Sequence, residues 1–226
     1  VQELAAAFAV FIALHSIPAI PALRSRIIGV VGRPAYFVIY SIVSTAVLAW
    51  VFRAALMLDY IPLWEFQPWQ AIMPFVFAPL GIFLVIAGLM SNNPLSISLA
   101  RGSTLGAVAS ITRHPVLWGF FLWAVGHVIV NGDLRSLLLF GGFALFAIGS
   151  VPMAEKRARR RLGAGWAVVA AGTSNVPLLG ILTGNVRPRF DMRLGAAALA
   201  TAALTAWLLM AGHSYLFGAD PLSLLG

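Results

Sequence analysis

The sequence predicts an all-α fold, a polytopic bundle of about six transmembrane helices. Three observations carry that expectation. The 226-residue chain is 61% hydrophobic and 10% charged, with a mean hydropathy of +0.93, whereas a soluble domain carries about 25% charge. Its apolar residues come in runs near the ~20 residues needed to cross a bilayer. Its basic residues gather on alternate connections, as the positive-inside rule requires.

Taken in order, the spans are expected at 3–22, 35–57, 70–90, 114–131, 134–154 and 193–216. The first, beginning VQELAAAFAV, lacks the basic leader of a secretory signal and reads as a span. The fourth is short; either it begins earlier, near Leu105, with a bend at Pro115, or it sits partly sheltered by its neighbours. Asn131-Gly132-Asp133 is a turn signal that makes the fourth and fifth spans an antiparallel hairpin. The connection 155–192 is the longest. It opens EKRARRRLGAGW, and its apolar middle, 166–182, reads either as a helix lying on the membrane surface or as a solvated loop.

The charge pattern sets an orientation. The net charge is +8, from fourteen Arg and one Lys against seven acids. Such a balance could serve nucleic acid, but the charges flank apolar spans, so membrane lipid is the expected partner and nucleic acid is not. Thirteen of the 15 basic residues fall on one set of connections, including Arg24, Arg26, Arg33, Arg101, Arg113, the run from Lys156 to Arg161, Arg187, Arg189 and Arg193. Arg53 and Arg135 fall on the other, with Glu3, Asp59, Glu65, Asp133 and Asp220. Both termini are therefore expected outside and the basic connections in the cytoplasm. The absence of cysteine excludes disulfides, thiolate metal sites and iron–sulfur clusters. HExxH, a Gly-rich phosphate loop and a serine nucleophile elbow are also missing, and no catalytic residue is assigned.

The histidines are the chemical candidates, because an imidazole in hydrocarbon is costly without a partner. His15 lies inside the first span and His127 inside the fourth, while His114 and His213 fall at span ends and read as interfacial residues. His114 and His127 are about 20 Å apart along one helix and on opposite faces, so they cannot share a metal. Phe11 shares a face with His15. Phe120 and Trp123 share one with His127, beside a stripe of Gly119 and Gly126 where another helix could approach closely. One imidazole on each of two helices, walled by aromatics, suits a b-type haem, with Arg26 and Arg113 as propionate partners. The same two histidines would equally serve as interhelical hydrogen-bonding groups.

The blocks HSIPAIPALRSRIIGVVGRPAYFVIYSIVS (15–44), RHPVLWGFFLWAVGHVIVNGDLRSLLLFGGF (113–143), EKRARRRLGAGWAVVAAGTSNVP (155–177) and HSYLFGADPL (213–222) resemble the NnrU family of membrane proteins over nearly the whole chain. The resemblance implies a single membrane domain, 1–226, in the bacterial inner membrane. It implies a role in denitrification, with nitric oxide and nitrite reduction and membrane partners there. It also implies kinship with plant 15-cis-ζ-carotene isomerase, a haem b enzyme acting on a lipid-soluble carotenoid. Carried over by motif, the haem and metal ligands are His15 and His127. The plant relatives have a cysteine where this chain has Ala124, which excludes a thiolate ligand and puts carotenoid isomerisation in doubt. RHPVLWG with a downstream Glu155 is also similar to isoprenylcysteine and phospholipid methyltransferases that bind S-adenosylmethionine. Here Trp118 replaces their tyrosine and Lys156 their second glutamate.

Overall fold

The computed structural model describes residues 1–102 and 104–225, apart from the side chain of Ala19. Its described residues form helices α1 (Gln2–Ser16), α2 (Pro21–Val31), α3 (Arg33–Leu56), α4 (Pro68–Met90), α5 (Pro115–Asn131), α6 (Leu134–Leu162), α7 (Trp166–Ala170), α8 (Leu179–Leu182), α9 (Met192–Trp207) and α10 (His213–Phe217), with short tighter or wider turns between them. No strand is present among these residues, only an isolated bridge between Pro62 and Asp133. The all-α expectation holds.

Proline sets where helices begin. It is the first residue of α2, α4 and α5 and the second of α3, positions where a missing N–H costs nothing and the fixed φ already suits a helix. By length and composition, four helical stretches can cross a membrane: Arg33–Leu56, Pro68–Met90, Leu134–Ala170 and Met192–Phe217. The count is five if α1 and α2, bent by more than 40° at the intervening break, form one broken span. The six-span count is not reached. The first expected span, 3–22, is interrupted at Ile17–Ala19, next to Pro18 and Pro21. The fourth is α5, whose 17 residues reach about 26 Å against a hydrocarbon core of about 30 Å. The long connection also differs from expectation. Residues 155–162 continue α6, so Glu155 stands on a helix, and the apolar middle holds only the short helices α7 and α8.

The chain forms two compact units. Unit 1 comprises residues 1–65 and 132–142. In it α1 lies antiparallel to α3: Glu3 pairs with Arg53 at 3.5 Å and accepts from Trp50 Nε1, while at the other end His15 meets Ser44. The connection after α3 is pinned by Gly132, whose carbonyl accepts from Leu63 N at 2.8 Å. Gly132 has φ +64, and a Cβ there would lie 2.8 Å from the Trp64 carbonyl, so glycine is required. The buried Asp133 then caps α6, accepting from Ser136 N at 3.1 Å.

Unit 2 comprises residues 66–131 and 143–226. Its centre is the antiparallel pair α4–α5. Gly81 meets Gly119, Gly88 meets Pro115 and Val116, and Gly126 meets Phe77 and Pro74. A Cβ at Gly88 would lie 2.8 Å from Val116 Cγ2, and one at Gly119 would lie 2.8 Å from Val85 Cγ2. The stripe of Gly119 and Gly126 is thus the close approach expected of it, and α4 meets Gly119 with a glycine of its own, Gly81. Helix α6 runs back along α5, with Leu117 against Val151 and Ala154 and Trp123 against Phe143. Helix α9 packs on α4 through Leu194 and Ala197, against Leu84 and Ala87. Asp191 caps α9, accepting from Leu194 N at 2.8 Å and from Ala107 N at 2.9 Å. Burial alone would raise the Asp191 carboxyl, but those bonds and the Arg193 charge hold it below the usual carboxylate range.

Candidate functional site

The best-defined polar site lies in unit 2, where α5 begins. His114 immediately precedes Pro115 and is 0% exposed. Its Nε2–H donates to Glu155 Oε1 at 3.0 Å, and its Nδ1 accepts from the Ser96 hydroxyl at 2.9 Å. Arg113 Nη1 pairs with the same Glu155 oxygen, and Arg113 Nε donates to Thr173 Oγ1 at 2.9 Å. Asn93 Nδ2 donates to the Arg113 carbonyl at 3.0 Å, and Arg113 N donates to the Ser174 carbonyl at 2.7 Å. Thr112 Oγ1 and Trp118 Nε1 both donate to the Asn175 carbonyl, at 2.7 and 2.8 Å. Arg113 and Arg159 both lie over the Trp166 ring, with their guanidinium carbons 5.4 and 3.6 Å from its centroid.

The expectation that His114 is a simple interfacial residue is therefore corrected. It is a fully buried member of a charged network. Burial pushes its pKa below the usual histidine value, against the pull of Glu155 and with the help of the Arg113 and Arg157 charges. Ser96, Asn93, Thr112 and Thr173 were not singled out in the sequence. The only signals for them were the prolines that follow Asn93 and His114 and the extended geometry a residue before proline adopts.

The proposed ligand histidines sit elsewhere. His15 is on α1 in unit 1, and its Nδ1–H donates to the Phe11 carbonyl at 2.8 Å. The Phe11 ring is 4.1 Å from the imidazole centroid to centroid, and Tyr40 stands edge-on at 6.2 Å. His127 is on α5 in unit 2, and its Nδ1–H donates to the Trp123 carbonyl at 2.7 Å. Trp123 lies 5.0 Å from it, ring to ring. A carbonyl only accepts, so both imidazoles carry the Nδ1–H tautomer, and the His15 Nε2 accepts from the Ser44 hydroxyl at 3.4 Å. Phe120 is 46% exposed and, with Trp123, Gly81, Val85 and Leu204, lines an apolar cavity of about 230 Å³ between α4, α5 and α9. Arg26 is exposed on α2. Arg113 is held by Glu155 about 20 Å along α5 from His127.

The family profile of the NnrU protein matches residues 3–221, nearly the full chain. The chain belongs to the NnrU family. No curated protein and no solved structure matches it. Three of the blocks that carry the NnrU resemblance, RHP at 113–115, EKR at 155–157 and TSNVP at 173–177, meet in the buried network around Glu155. No cluster of three or more His, Asp or Glu suited to a metal ion occurs among the described residues.

Proposed function

We propose that this NnrU-family protein is a haem b-binding protein of the bacterial inner membrane, with a role in nitric oxide and nitrite reduction. The observation that supports it is the shared state of the two imidazoles on apolar helices. Each is oriented through its Nδ1 by a carbonyl four residues earlier. Orienting a ligand histidine through its other nitrogen is the usual outer-shell device at metal sites. In this reading the haem ligands are the two that the family resemblance nominates, His15 and His127, with Phe11, Trp123 and Phe120 as apolar neighbours, and a neutral imidazole is the kind of donor a b-type haem takes. Arg26 is the first propionate partner, since Arg113 would have to leave Glu155. Bound haem would supply a redox-active iron beside a lipid-soluble substrate. The enzymatic form of the reading is a cis–trans isomerase of a polyene. The other form is a haem-bearing assembly or sensing partner of the denitrification machinery.

The test is the visible spectrum of detergent-purified protein, oxidised and dithionite-reduced, with haem quantified as its pyridine complex. Near one haem per chain with split α/β bands on reduction is expected. His127→Ala should lose haem and His114→Ala should keep it. Equal haem content in the two variants would remove the ligand assignment.

The methyltransferase reading draws on a different observation, the convergence of Arg113 and His114 on Glu155. Saturable binding of S-adenosylmethionine to the purified protein, lost in Glu155→Gln, would favour it. No binding at millimolar concentration would remove it.

A further inference from the structure

In unit 2 a serine is held against the His114–Glu155 pair. Two residues that precede proline meet there, Asn93 before Pro94 and His114 before Pro115, and each is kept out of helical geometry by the ring that follows it. Asn93 joins the two segments: its Nδ2 donates to the Arg113 carbonyl, and its Oδ1 accepts from Leu95 N at 3.0 Å. Leu95 is 1% exposed and clusters with Ala158 and Ala170, while Arg161 reaches the Pro94 carbonyl from α6. Ser96 comes next on this pinned segment, in the connection that follows the membrane-length helix α4. It is half-buried, whereas His114 behind it is fully buried.

The polar atoms line up in one order. A carboxylate only accepts, so the His114 Nε2–H points at Glu155 Oε1 and the ring's lone pair lies on Nδ1. The Ser96 hydroxyl, 2.9 Å away, donates to that lone pair. Arg113 pairs with the same carboxylate oxygen and fixes it. A hydroxyl within hydrogen-bond reach of a base, with the base oriented by a third group, is the arrangement of an activated nucleophile. It is recognised by geometry and roles, so a missing elbow motif does not exclude it. Burial also favours the neutral imidazole, the form that can take a proton. Ile97 and Leu99, 40% and 79% exposed, give the serine apolar neighbours.

We propose that Ser96 is a nucleophile with His114 as its general base and Glu155 as the positioning residue, and that this relay cleaves carboxylic esters at the membrane surface. Ser96 Oγ bonds to the ester carbonyl carbon as its proton passes to His114 Nδ1. The bond from that carbon to the alcohol oxygen breaks, and the alcohol leaves with the proton. Water then attacks the acyl-serine and gives one proton to His114. The carbon–Oγ bond breaks, the carboxylic acid is released, and the proton returns to Ser96 Oγ. Glu155 stays ionised and balances the transient imidazolium. Neither His15 nor His127 takes part, so the inference is independent of the haem reading. It gives Glu155 a different role from the one in the methyltransferase reading.

The experiment treats the detergent-purified full chain with an alkyl fluorophosphonate and maps the label by mass spectrometry, with hydrolysis of p-nitrophenyl butyrate followed alongside. Wild type, Ser96→Ala, His114→Asn and Glu155→Gln are compared, each checked for folding by its melt. A single label on Ser96, and loss of both label and ester turnover in Ser96→Ala, is the expected result. The maximal labelling rate should fall about a hundredfold in His114→Asn, as removal of a general base requires. It should also fall in Glu155→Gln with the half-saturating probe concentration unchanged, a split that a merely structural role would not give. If His114→Asn does not fold, Ser96→Cys replaces it, since the chain has no other thiol. Iodoacetamide at neutral pH should alkylate that cysteine about tenfold faster than the one in Ser98→Cys, because a neighbouring imidazole promotes the thiolate. Folded wild type that takes no label, or takes it at a residue other than Ser96, would overturn the inference. So would an unchanged labelling rate in folded His114→Asn, or equal alkylation of the two cysteines.

Discussion

At the scale of single residues, Glu155 decides the character of the α5 start. Its Oε1 serves two donors, Arg113 and His114, while its Oε2 accepts no hydrogen bond and faces Arg159 Nε at 3.8 Å. Breaking such a pair from one side strands a buried charge, at a cost of about 3–5 kcal/mol. His114 adds a pH dependence whose sign follows from its lowered pKa. The unfolded chain takes up a proton near pH 6.5, the folded His114 only at lower pH. The contribution of His114 is therefore complete above about pH 6.5 and is lost as pH falls through its folded value. Thermal melts of the detergent-solubilised protein should show stability dropping over that interval, and His114→Asn should flatten the drop. An unchanged profile in His114→Asn would mean that the buried imidazole is not the group responsible. Little of this was legible in the sequence, where His114 read as an interfacial residue before a proline and only the methyltransferase resemblance set Glu155 beside the RHP block. Its partners Ser96 and Glu155 lie 18 and 41 positions away along the chain, and no local pattern reports them.

At the scale of elements, hydropathy reveals where apolar helices are but not how they end. It located α3, α4 and the run from α9 through α10 closely, because each is a long apolar run that starts beside proline or charge. It misjudged α1 and α6. Pro18 and Pro21 break the first run, while the charged EKRARRRL segment stays helical, since Glu, Lys, Arg and Leu are all good helix formers and charge alone does not stop a helix. The α4–α5 pair was readable in part. The spacing of Gly119 and Gly126 announced a close contact, but not that Gly81 meets Gly119 or that Gly88 makes room for Pro115 and Val116. Helices in lipid gain little from hydrophobic burial against each other and associate through close van der Waals approach. A large side chain at Gly119 must therefore separate them, since even its Cβ would lie 2.8 Å from Val85 Cγ2 and 3.0 Å from Val85 N. Gly119→Leu should destabilise the protein by at least the ~1–3 kcal/mol of an overpacked core, read as a lowered melting temperature. Gly149→Leu, where nothing lies within 4 Å of the added Cβ, should be near neutral. Equal melts for the two variants would show that the α4–α5 approach contributes nothing.

At the scale of the whole molecule, charge is the only guide to orientation, and it acts through where the helices leave their basic ends. In unit 2 the C-terminal end of α4 and the N-terminal end of α9 come together, with Arg193 Nη1 donating to Asn92 Oδ1 at 3.0 Å, and Arg161 reaches the Pro94 carbonyl in the same connection. Arg113 and the Arg-rich end of α6 share the Glu155 network. Unit 2 therefore collects its arginines at one end, as a cytoplasmic face would. In unit 1, Glu3 and Arg53 share an end, and the connection after α3 carries Asp59 and Glu65. These charges are the ground for expecting both termini outside, and the chain offers a direct way to test that expectation. It has no cysteine, so one introduced cysteine is its only thiol. In intact cells a membrane-impermeant maleimide should label Asp59→Cys and leave Arg160→Cys unlabelled until the membrane is opened. The reverse pattern would invert the orientation. Labelling of both in intact cells would mean that these two segments face the same side, and the alternation of charge would then have to be explained by something other than topology.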